Sequence, residues 1–400
     1  MAKKEIKTDV LVIGGGLAGV WCAYELSKAG KNVTLVDEKN IGNGATSLTT
    51  AFITCVVDTD LPSLSYLYGP RLAKSVWESG MQAIEKIRET VISERIKCDF
   101  MNCAAYMYAS SAEQFDELNM EKKLADDFGF RMEISSDPFL GFDNYGYAVI
   151  ENQAKYNAVK FLKGLANAVR RNGVKVHENF KIEKLEGSSH IVATNKKGIR
   201  IIADDVVVAT YDPFNHPIKT MAKKGFYQSY IMEFIVDKGL IKEAIYWDKS
   251  NPYFYFRVDA LDQKKDSVLL GGADHKNLVP MNPKKCYKAL EDHFCKLFPE
   301  MTNYKLGKKW SGPILEPSDG LALIGEYKPH YYMASAFSGN GMTYSAISGM
   351  LIRDLILGKD NPWAELYDPK RPRKIKRYVK KGKDYVEEFI GGALKNTFKK

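Results

Sequence analysis

An α/β fold, with a parallel sheet and a second, antiparallel sheet threaded through the same chain, is predicted by three features of the 400-residue sequence. The first is the run DVLVIGGGLAGVWCAYELSKAGKNVTLVDEK near the start, with Gly14, Gly16 and Gly19, and with Asp37 eighteen residues after Gly19. The second is the turn Ser338-Gly-Asn-Gly-Met-Thr343 near the other end, which opens an apolar helix. The third is a change of texture between about 215 and 309, where strand-like runs (YIMEFIVD, AIYWD, YFYFRVD, SVLLGGAD) follow one another.

Val10 to Ile13 is a short apolar, β-branched run, as a strand buried on both faces should be. Gly14 permits a tight turn, Gly16 leaves room for a pyrophosphate, and Gly19 lets the helix Leu17 to Ala29 lie close to the strand. Phosphates would sit on the free amides of that helix N-terminus. A second strand, Asn32 to Val36, ends at Asp37, whose carboxylate can bind ribose hydroxyls and would repel a 2′-phosphate. Strand, glycine triplet, helix, strand and acid in this order define a Rossmann-like dinucleotide site and argue against NADP. The hydroxyl-rich loop Gly42 to Thr54 offers Thr46, Ser47, Thr49 and Thr50 as donors without bulk. Together with the second glycine turn it favours FAD over NAD. That turn would point a helix N-terminus at the flavin's pyrimidine end, where partial positive charge stabilises the reduced ring.

Further along, 70–98 and 112–129 read as helices, and Met101 to Ala109 as a strand between them. Asn157 to Asn172 is amphipathic, with Val159, Leu162, Leu165, Ala166 and Val169 expected on one face. Strands at Val174–His177 and 203–210 look like a return to the nucleotide sheet, and helices are expected at Lys284 to Leu297 and at 344–357. The implied organisation is discontinuous: an FAD-binding domain from 1–60, 150–214 and 310–368, a substrate-binding domain from 61–149 and 215–309, and a C-terminal basic helical tail, 369–400. The cofactor contacts expected are Gly14, Gly15, Gly16, Leu17, Ala18 and Gly19 at the first turn and Asp37 and Glu38 at the ribose. Ala45, Thr46, Ser47, Thr49 and Thr50 follow in the loop, Ile182 and Thr210 on the returning strands, and Gly339, Asn340, Gly341, Met342 and Thr343 at the second turn.

The formal charge of +9 is a property of the tail. Residues 370–400 hold twelve Lys or Arg against three acids, and the first 369 residues hold 46 of each sign. A neutral body lacks the basic surface that nucleic acid needs. Six cysteines, at 22, 55, 98, 103, 286 and 295, match no C-x-x-C or zinc spacing and read as free thiols in a reducing compartment. The start, MAKKEIKTDV, runs straight into the first strand, and no apolar run approaches 18 residues, so a cytoplasmic location is expected. In the tail, apolar residues from Ile375 to Leu394 form a helical stripe backed by lysines and arginines. Such a helix could dock on its own body, bind an acidic redox partner or lie on an anionic membrane surface.

The chain resembles the FAD-dependent amine and amino-acid oxidoreductases of the D-amino-acid oxidase superfamily, glycine and sarcosine oxidases among them. The likeness is greatest to the subgroup often fused to a Rieske domain, through GNGATSLTTAFIT, ENQAKYNAVKFLKGLA, LLGGADHK, DGLALIG and FSGNGMTY. The resemblance implies hydride transfer to flavin from the carbon beside a neutral amine nitrogen, followed by hydrolysis of the imine. Four departures matter. The paired Cys/His motifs of a Rieske centre are missing, and no Cys follows Cys295 to bond the flavin, so FAD is expected to be non-covalent. SVLLGG has leucines where the oxidases carry an oxygen-activating lysine, and Trp310-Ser-Gly-Pro-Ile-Leu lacks the carboxylate-binding arginine of the amino-acid oxidases. An electron-transfer component, another related flavoprotein, and a flavin-binding protein without turnover stay open. So does the electron acceptor: oxygen, a quinone or a redox protein.

For the substrate side, alternation on Tyr253-Phe-Tyr-Phe-Arg257 puts Tyr253, Tyr255 and Arg257 on one face. The tyrosines could wall the flavin and Arg257 could bind a substrate carboxylate, or it could pair with Asp259. His275, after two glycines at a strand end, is the histidine to test, against a satisfied structural role. Lys276 reads as a surface residue or an oxygen-side cation, and Asp319 as a turn closer.

Overall fold

A computed structural model describes residues 5–137, 141–211, 225–250, 253–276 and 281–372. The tail from 373 onward, with the helical stripe expected there, lies outside the described residues.

The first sheet contains β1 (Glu5–Ile13), β2 (Val33–Val36), β7 (Lys175–His177), β8 (Ile182–Glu186), β9 (Ile191–Asn195), β10 (Arg200–Val208), β16 (Leu323–Lys328) and β17 (Tyr331–Ser335). Its order is β16-β17-β10-β1-β2-β7, with the β8–β9 hairpin hung on β10. β10, β1, β2 and β7 run parallel, and β17 runs parallel to β10. The register aligns Ile13 with both Val36 and Val208, and Val208 with Met333. The glycine turn after β1, Asp37 after β2, Thr210 after β10 and the turn after β17 therefore leave the sheet at one edge. This is the carboxyl edge, where open α/β sheets bind ligands.

α1 (Leu17–Lys28) is buried along its first ten residues between this sheet, α5 (Ala158–Arg171) and α7 (Gly341–Ile356). At the α1–α7 crossing, a Cβ on Gly349 would lie 2.9 Å from the Trp21 carbonyl oxygen, so only glycine allows this approach. Buried Glu25 of α1 pairs with Arg353 of α7 and, at 2.9 Å, with Lys86 of α3 (Pro70–Ser93). α3 ends five residues before the expected 98, and a helix not foreseen, α2 (Leu61–Tyr68), precedes it with its Asp60 carboxylate accepting from Ser63 N–H at 2.6 Å. α4 (Ala112–Asp127) follows β4. In α5 the buried face is Ala158, Phe161, Leu162, Leu165, Ala166 and Val169, while Val159 is exposed. Phe161 stacks on Tyr156 at 4.7 Å, and burying that ring turns Val159 outward.

The second sheet contains β3 (Phe52–Ile53), β4 (Met101–Ala109), β5 (Glu133–Ser135), β6 (Gly146–Lys155), β11 (Phe226–Asp237), β12 (Ile245–Asp248), β13 (Tyr255–Ala260), β14 (Lys265–Lys276) and β15 (Lys305–Leu315). Its order is β15-β11-β14-β13-β12-β4-β6-β3, with β5 on β6. All pairs are antiparallel, as the strand-like runs lead one to expect, except β12–β4, which is parallel. The parallel pair falls where the segment 61–149 meets the segment 215–309, and no hairpin could join strands so far apart in the chain. β6 and β15 cross the expected boundaries at 150 and 310, β3 lies before the one at 60, and each joins this second sheet. One face carries an aromatic core under α6 (Pro283–Leu297), with Phe234 stacked on Phe294 at 3.9 Å and Tyr246 on Phe256 at 4.5 Å. A short α8 (Ala364–Tyr367) closes the described chain.

Asp248 lies within this second layer, 4% exposed, its carboxylate accepting from Phe254 N–H at 2.9 Å. Burial pushes its pKa up to about 6 from an ordinary 3.8. Below pH 3.8 the group is neutral in both states. Between there and pH 6 the folded chain keeps a proton that the unfolded chain has released, so stability falls as pH rises. Asp248→Asn should remove this slope. Urea unfolding should show the variant gaining about 2 kcal/mol on the parent between pH 4 and pH 8.

Candidate active site

At the first turn Gly14 adopts φ +114°, and a Cβ there would lie 2.5 Å from the Ala209 carbonyl oxygen. A Cβ on Gly19 would fall on the Gly14 carbonyl oxygen, so α1 rests on the turn itself. At Gly16 the nearest atom to such a Cβ is Thr46 Oγ1, at 3.7 Å, so the backbone here is open to a ligand. The α1 N-terminus has no side-chain cap from Gly16. Leu17 N–H donates to Thr46 Oγ1 at 3.1 Å, whereas Ala18 and Gly19 have first-turn amides without intrahelical partners. Asp37 accepts from Gly15 N–H at 2.6 Å and from Lys39 N–H at 2.7 Å. A carboxylate has about four acceptor positions, so it ties the turn to β2 and keeps capacity for ribose hydroxyls. Glu38 beside it is exposed.

The hydroxyl-rich loop forms a 3-10 turn, Ala45–Leu48. Thr46 and Thr49 both use their oxygens as acceptors, Thr49 from Ala51 N–H at 2.9 Å, and so keep their own hydroxyl protons to give. Ser47 donates to the Gly44 carbonyl at 3.0 Å. Thr50 contributes its carbonyl to Arg257. Ile182, at the start of β8, is buried in an apolar cluster with Ile13 and Val36. Thr210 Oγ1 is shut away from solvent with no hydrogen-bond partner.

α7 starts at Gly341, three residues before the expected 344, so its N-terminus lies in the glycine turn itself. Gly339 N–H donates to Asp58 at 2.9 Å and Asn340 Nδ2 to the Val56 carbonyl at 2.8 Å. Asn340 Oδ1, like Thr210 Oγ1, is buried and unpartnered. Met342 Sδ accepts from the Tyr156 hydroxyl at 3.2 Å, and Thr343 Oγ1 donates to the Asn340 carbonyl at 3.2 Å. With those side chains packed inward, the first-turn amides of Gly341, Met342 and Thr343 are what the helix end presents. Two uncapped helix N-termini, a glycine cradle and two orphaned polar atoms at one sheet edge fit a bound dinucleotide.

The substrate-side candidates separate. Tyr255 stands edge-on to Phe52 at 5.7 Å, 5.7 Å from Tyr253, with its hydroxyl 3.1 Å from Ser229 Oγ. A Cβ on Gly271 would collide with the Tyr255 ring, so that glycine is what seats the tyrosine. Burial first, and then the Asp58 and Asp274 charges, hold the Tyr253 hydroxyl well above its ordinary pKa. Arg257 shares the Tyr255 face but is 8% exposed and engaged elsewhere: Nε on Asp259 at 2.8 Å, Nη1 on the carbonyls of Thr50 at 2.6 Å and Tyr156 at 2.9 Å. It thus ties β13 to the hydroxyl-rich loop, the structural alternative to carboxylate binding. His275 Nε2 bonds the Tyr230 hydroxyl at 3.1 Å and Nδ1 lies 3.0 Å from the Lys276 carbonyl, which satisfies both ring nitrogens within the fold. Lys276 also interacts within the protein.

Sequence reasoning passed over Asp58 and Asp274. Asp274 follows Gly272 (φ +145°) and Ala273 (φ +53°), where the β11–β14 register slips between Gln228 and Tyr230. A bulge of this kind re-aims a side chain, and a left-handed alanine costs about 1–3 kcal/mol. The only trace in the sequence is an acid after two glycines at a strand end.

Residues 9–355 match the family model described as DAO, FAD dependent oxidoreductase, and the chain belongs to that family. It is an FAD-dependent oxidoreductase. Among curated relatives, a Bacillus subtilis protein, YhfW, named for a Rieske 2Fe-2S centre, is 24% identical over 98% of this chain and 77% of its own length. Gamma-glutamylputrescine oxidoreductase of Escherichia coli is 23% identical over 89% of this chain and 85% of its own. Among solved structures, glycine oxidase from Geobacillus kaustophilus superposes with a TM-score of 0.78 at 17% identity, over 92% of this chain and 99% of that one. L-proline dehydrogenase from P. horikoshii follows at 0.75 and 18%, over 91% and 97%. Among the described residues no helix is long and apolar enough to cross a membrane.

Proposed function

We propose that the protein oxidises the C–N bond of a small amine or amino acid. The observation that carries this reading is the meeting of both glycine turns at one sheet edge, beside the Tyr253–Tyr255 face of the second sheet. FAD would be held without a covalent bond. Gly14, Gly15 and Gly16 with the amides of Leu17, Ala18 and Gly19 would take the pyrophosphate, and Asp37 with Glu38 the ribose. Ala45, Thr46, Ser47, Thr49 and Thr50 would line its length, Ile182 and Thr210 would stand at the returning strands, and Gly339 to Thr343 would close on the flavin ring. When bound, FAD supplies the two-electron acceptor that turns the amine into an imine, which water then hydrolyses. Phe52, Tyr253 and Tyr255 form an apolar wall that excludes water and positions the reacting carbon. Burial keeps both tyrosines protonated and neutral, so neither serves as a base, and none is required for a neutral amine.

Anaerobic titration of the purified yellow protein with a panel of amines and amino acids checks the proposal. At least one should bleach the flavin absorbance, and dithionite should bleach it in every case. Bleaching by dithionite alone would sink the reading.

A further inference from the structure

We propose that the substrate face selects amines carrying a second positive charge, with the Asp58 and Asp274 carboxylates as anchors for that distant ammonium group. This rests on the amine-oxidising reading above and names its substrate class.

Asp274 carries the argument. Its Oδ1 is withdrawn from solvent and accepts no hydrogen bond, and among the described residues no Lys or Arg pairs with it. An unpaired buried carboxylate oxygen costs about 1–3 kcal/mol or more, which a charged donor would offset. Among the described residues, the neighbouring basic side chains Arg257 and His275 are engaged elsewhere. The Arg257 guanidinium is held by Asp259, Thr50 and Tyr156, and the His275 ring by Tyr230 and the Lys276 carbonyl. The Ser229 hydroxyl and, less strongly, the His275 ring ease Asp274. Burial first, and then the neighbouring Asp58 charge, push Asp274 up to about 6, so the two carboxylates share one field.

Asp58 acts on Asp274 as well. It accepts from Gly339 N–H at 2.9 Å and so stands at the second glycine turn. Tyr253 and Tyr255 feel both carboxylates, and Glu316 adds a third negative charge at Tyr253. Two neutral tyrosine rings beside two carboxylates form a setting for an ammonium group, by ion pairing and by cation–π attraction. β15 ends on Pro313-Ile314-Leu315 without a basic residue, and Glu316 follows it. The negative charges of Asp58, Asp274 and Glu316 would oppose a carboxylate at the far end of a substrate. The bulge that turns Asp274 toward this space keeps Ala273 in a left-handed conformation, a strain that aiming the carboxylate accounts for.

The test uses the holoenzyme and three four-carbon probes: 1,4-diaminobutane, 1-aminobutane and 4-aminobutanoate, which end in a cation, a methyl group and an anion. Anaerobic stopped-flow reduction should give a second-order rate constant about 10- to 100-fold higher for the diamine than for 1-aminobutane, with 4-aminobutanoate slowest. Asp274→Asn and, separately, Asp58→Asn should collapse the diamine-to-monoamine ratio toward one. A readout free of turnover is calorimetric binding of 1,4-diaminobutane to dithionite-reduced holoenzyme, which either variant should weaken about tenfold or more. Flavin content and Tm identify a variant that has failed to fold, in which case the other decides. Reduction without advantage for the diamine, or a ratio unchanged in the folded variants, overturns this inference and leaves the amine-oxidising reading standing. Failure of all three probes and of the wider amine and amino-acid panel overturns both.

Discussion

Gly19→Ala is expected to give a protein that purifies without its flavin. The added Cβ would fall on the Gly14 carbonyl oxygen, 3.1 Å from the Gly14 carbonyl carbon and 3.4 Å from Ala209 Cβ. The first two neighbours are backbone atoms of the turn, with no flexible side-chain end that could swing aside. Either α1 lifts from β1 or the turn unfolds outward, and both displace the amides of Leu17, Ala18 and Gly19 and the Leu17–Thr46 hydrogen bond. Overpacking of this kind costs about 1–3 kcal/mol in the apoprotein. The larger effect comes through linkage, because a protein that no longer binds FAD loses the stabilisation that the bound ligand confers on the folded state. The 450 nm to 280 nm absorbance ratio should fall to near zero, and added FAD should no longer raise Tm. Gly30→Ala is the control. Gly30 adopts a left-handed φ, +83°, and a Cβ there meets nothing within 4 Å. It should cost about 1 kcal/mol of backbone strain and leave the flavin in place. A Gly19→Ala protein that stays fully yellow would mean that the turn and helix do not meet as described.

The contrast between these glycines explains what could be read from the chain. Gly14, Gly16 and Gly19 are legible because a dinucleotide turn fixes their spacing against a strand and a helix, all within thirty residues. The glycines at 339–341 announce a second ligand-facing helix start, but that it stands at the same sheet edge depends on β17 pairing with β10 across more than a hundred residues. Asp274 was not legible: period-2 alternation from Arg257 or Leu270 says nothing about a bulge that shifts register at Ala273. Arg257 illustrates the opposite difficulty. Alternation places it correctly on the Tyr255 face, but its partners Thr50 and Tyr156 lie about two hundred and one hundred residues upstream, beyond any local pattern. The β12–β4 pair was missed for the same reason, since no short loop announces a parallel neighbour.

Arg371→Ala is expected to destabilise the folded protein by about 3–5 kcal/mol, through a contact invisible to local patterning. Asp319 reads as a residue that closes a turn before Gly320. In the structure it is 4% exposed and takes a two-pronged grip from Arg371, Nε at 2.8 Å and Nη2 at 2.9 Å. The same guanidinium donates to the carbonyls of Leu321 at 2.6 Å and Ala322 at 2.9 Å, so one side chain satisfies the whole approach to β16. Tyr68 of α2 donates to the Asp319 carbonyl at 2.8 Å, and Gly320 packs on Thr59, next to Asp58. Truncation at Arg371 would leave a buried carboxylate with only a long contact from Leu321 N–H, at 3.5 Å, and would strip two buried carbonyls of their guanidinium donor. Charge alone does not replace the fork: Arg371→Lys keeps the cation but cannot reach both carboxylate oxygens and both carbonyls, and should recover less than half of the loss. Removing both charges is the discriminating measurement. In urea unfolding, Asp319→Leu combined with Arg371→Met should be more stable than Arg371→Ala alone, because no unpaired charge remains buried. If the single and double variants unfold together, the loss belongs to packing at β16 and the ion pair contributes little. If they differ as expected, the residues just before the basic tail hold the loop that carries Asp58, and the flavin content of Arg371→Ala should fall along with its stability.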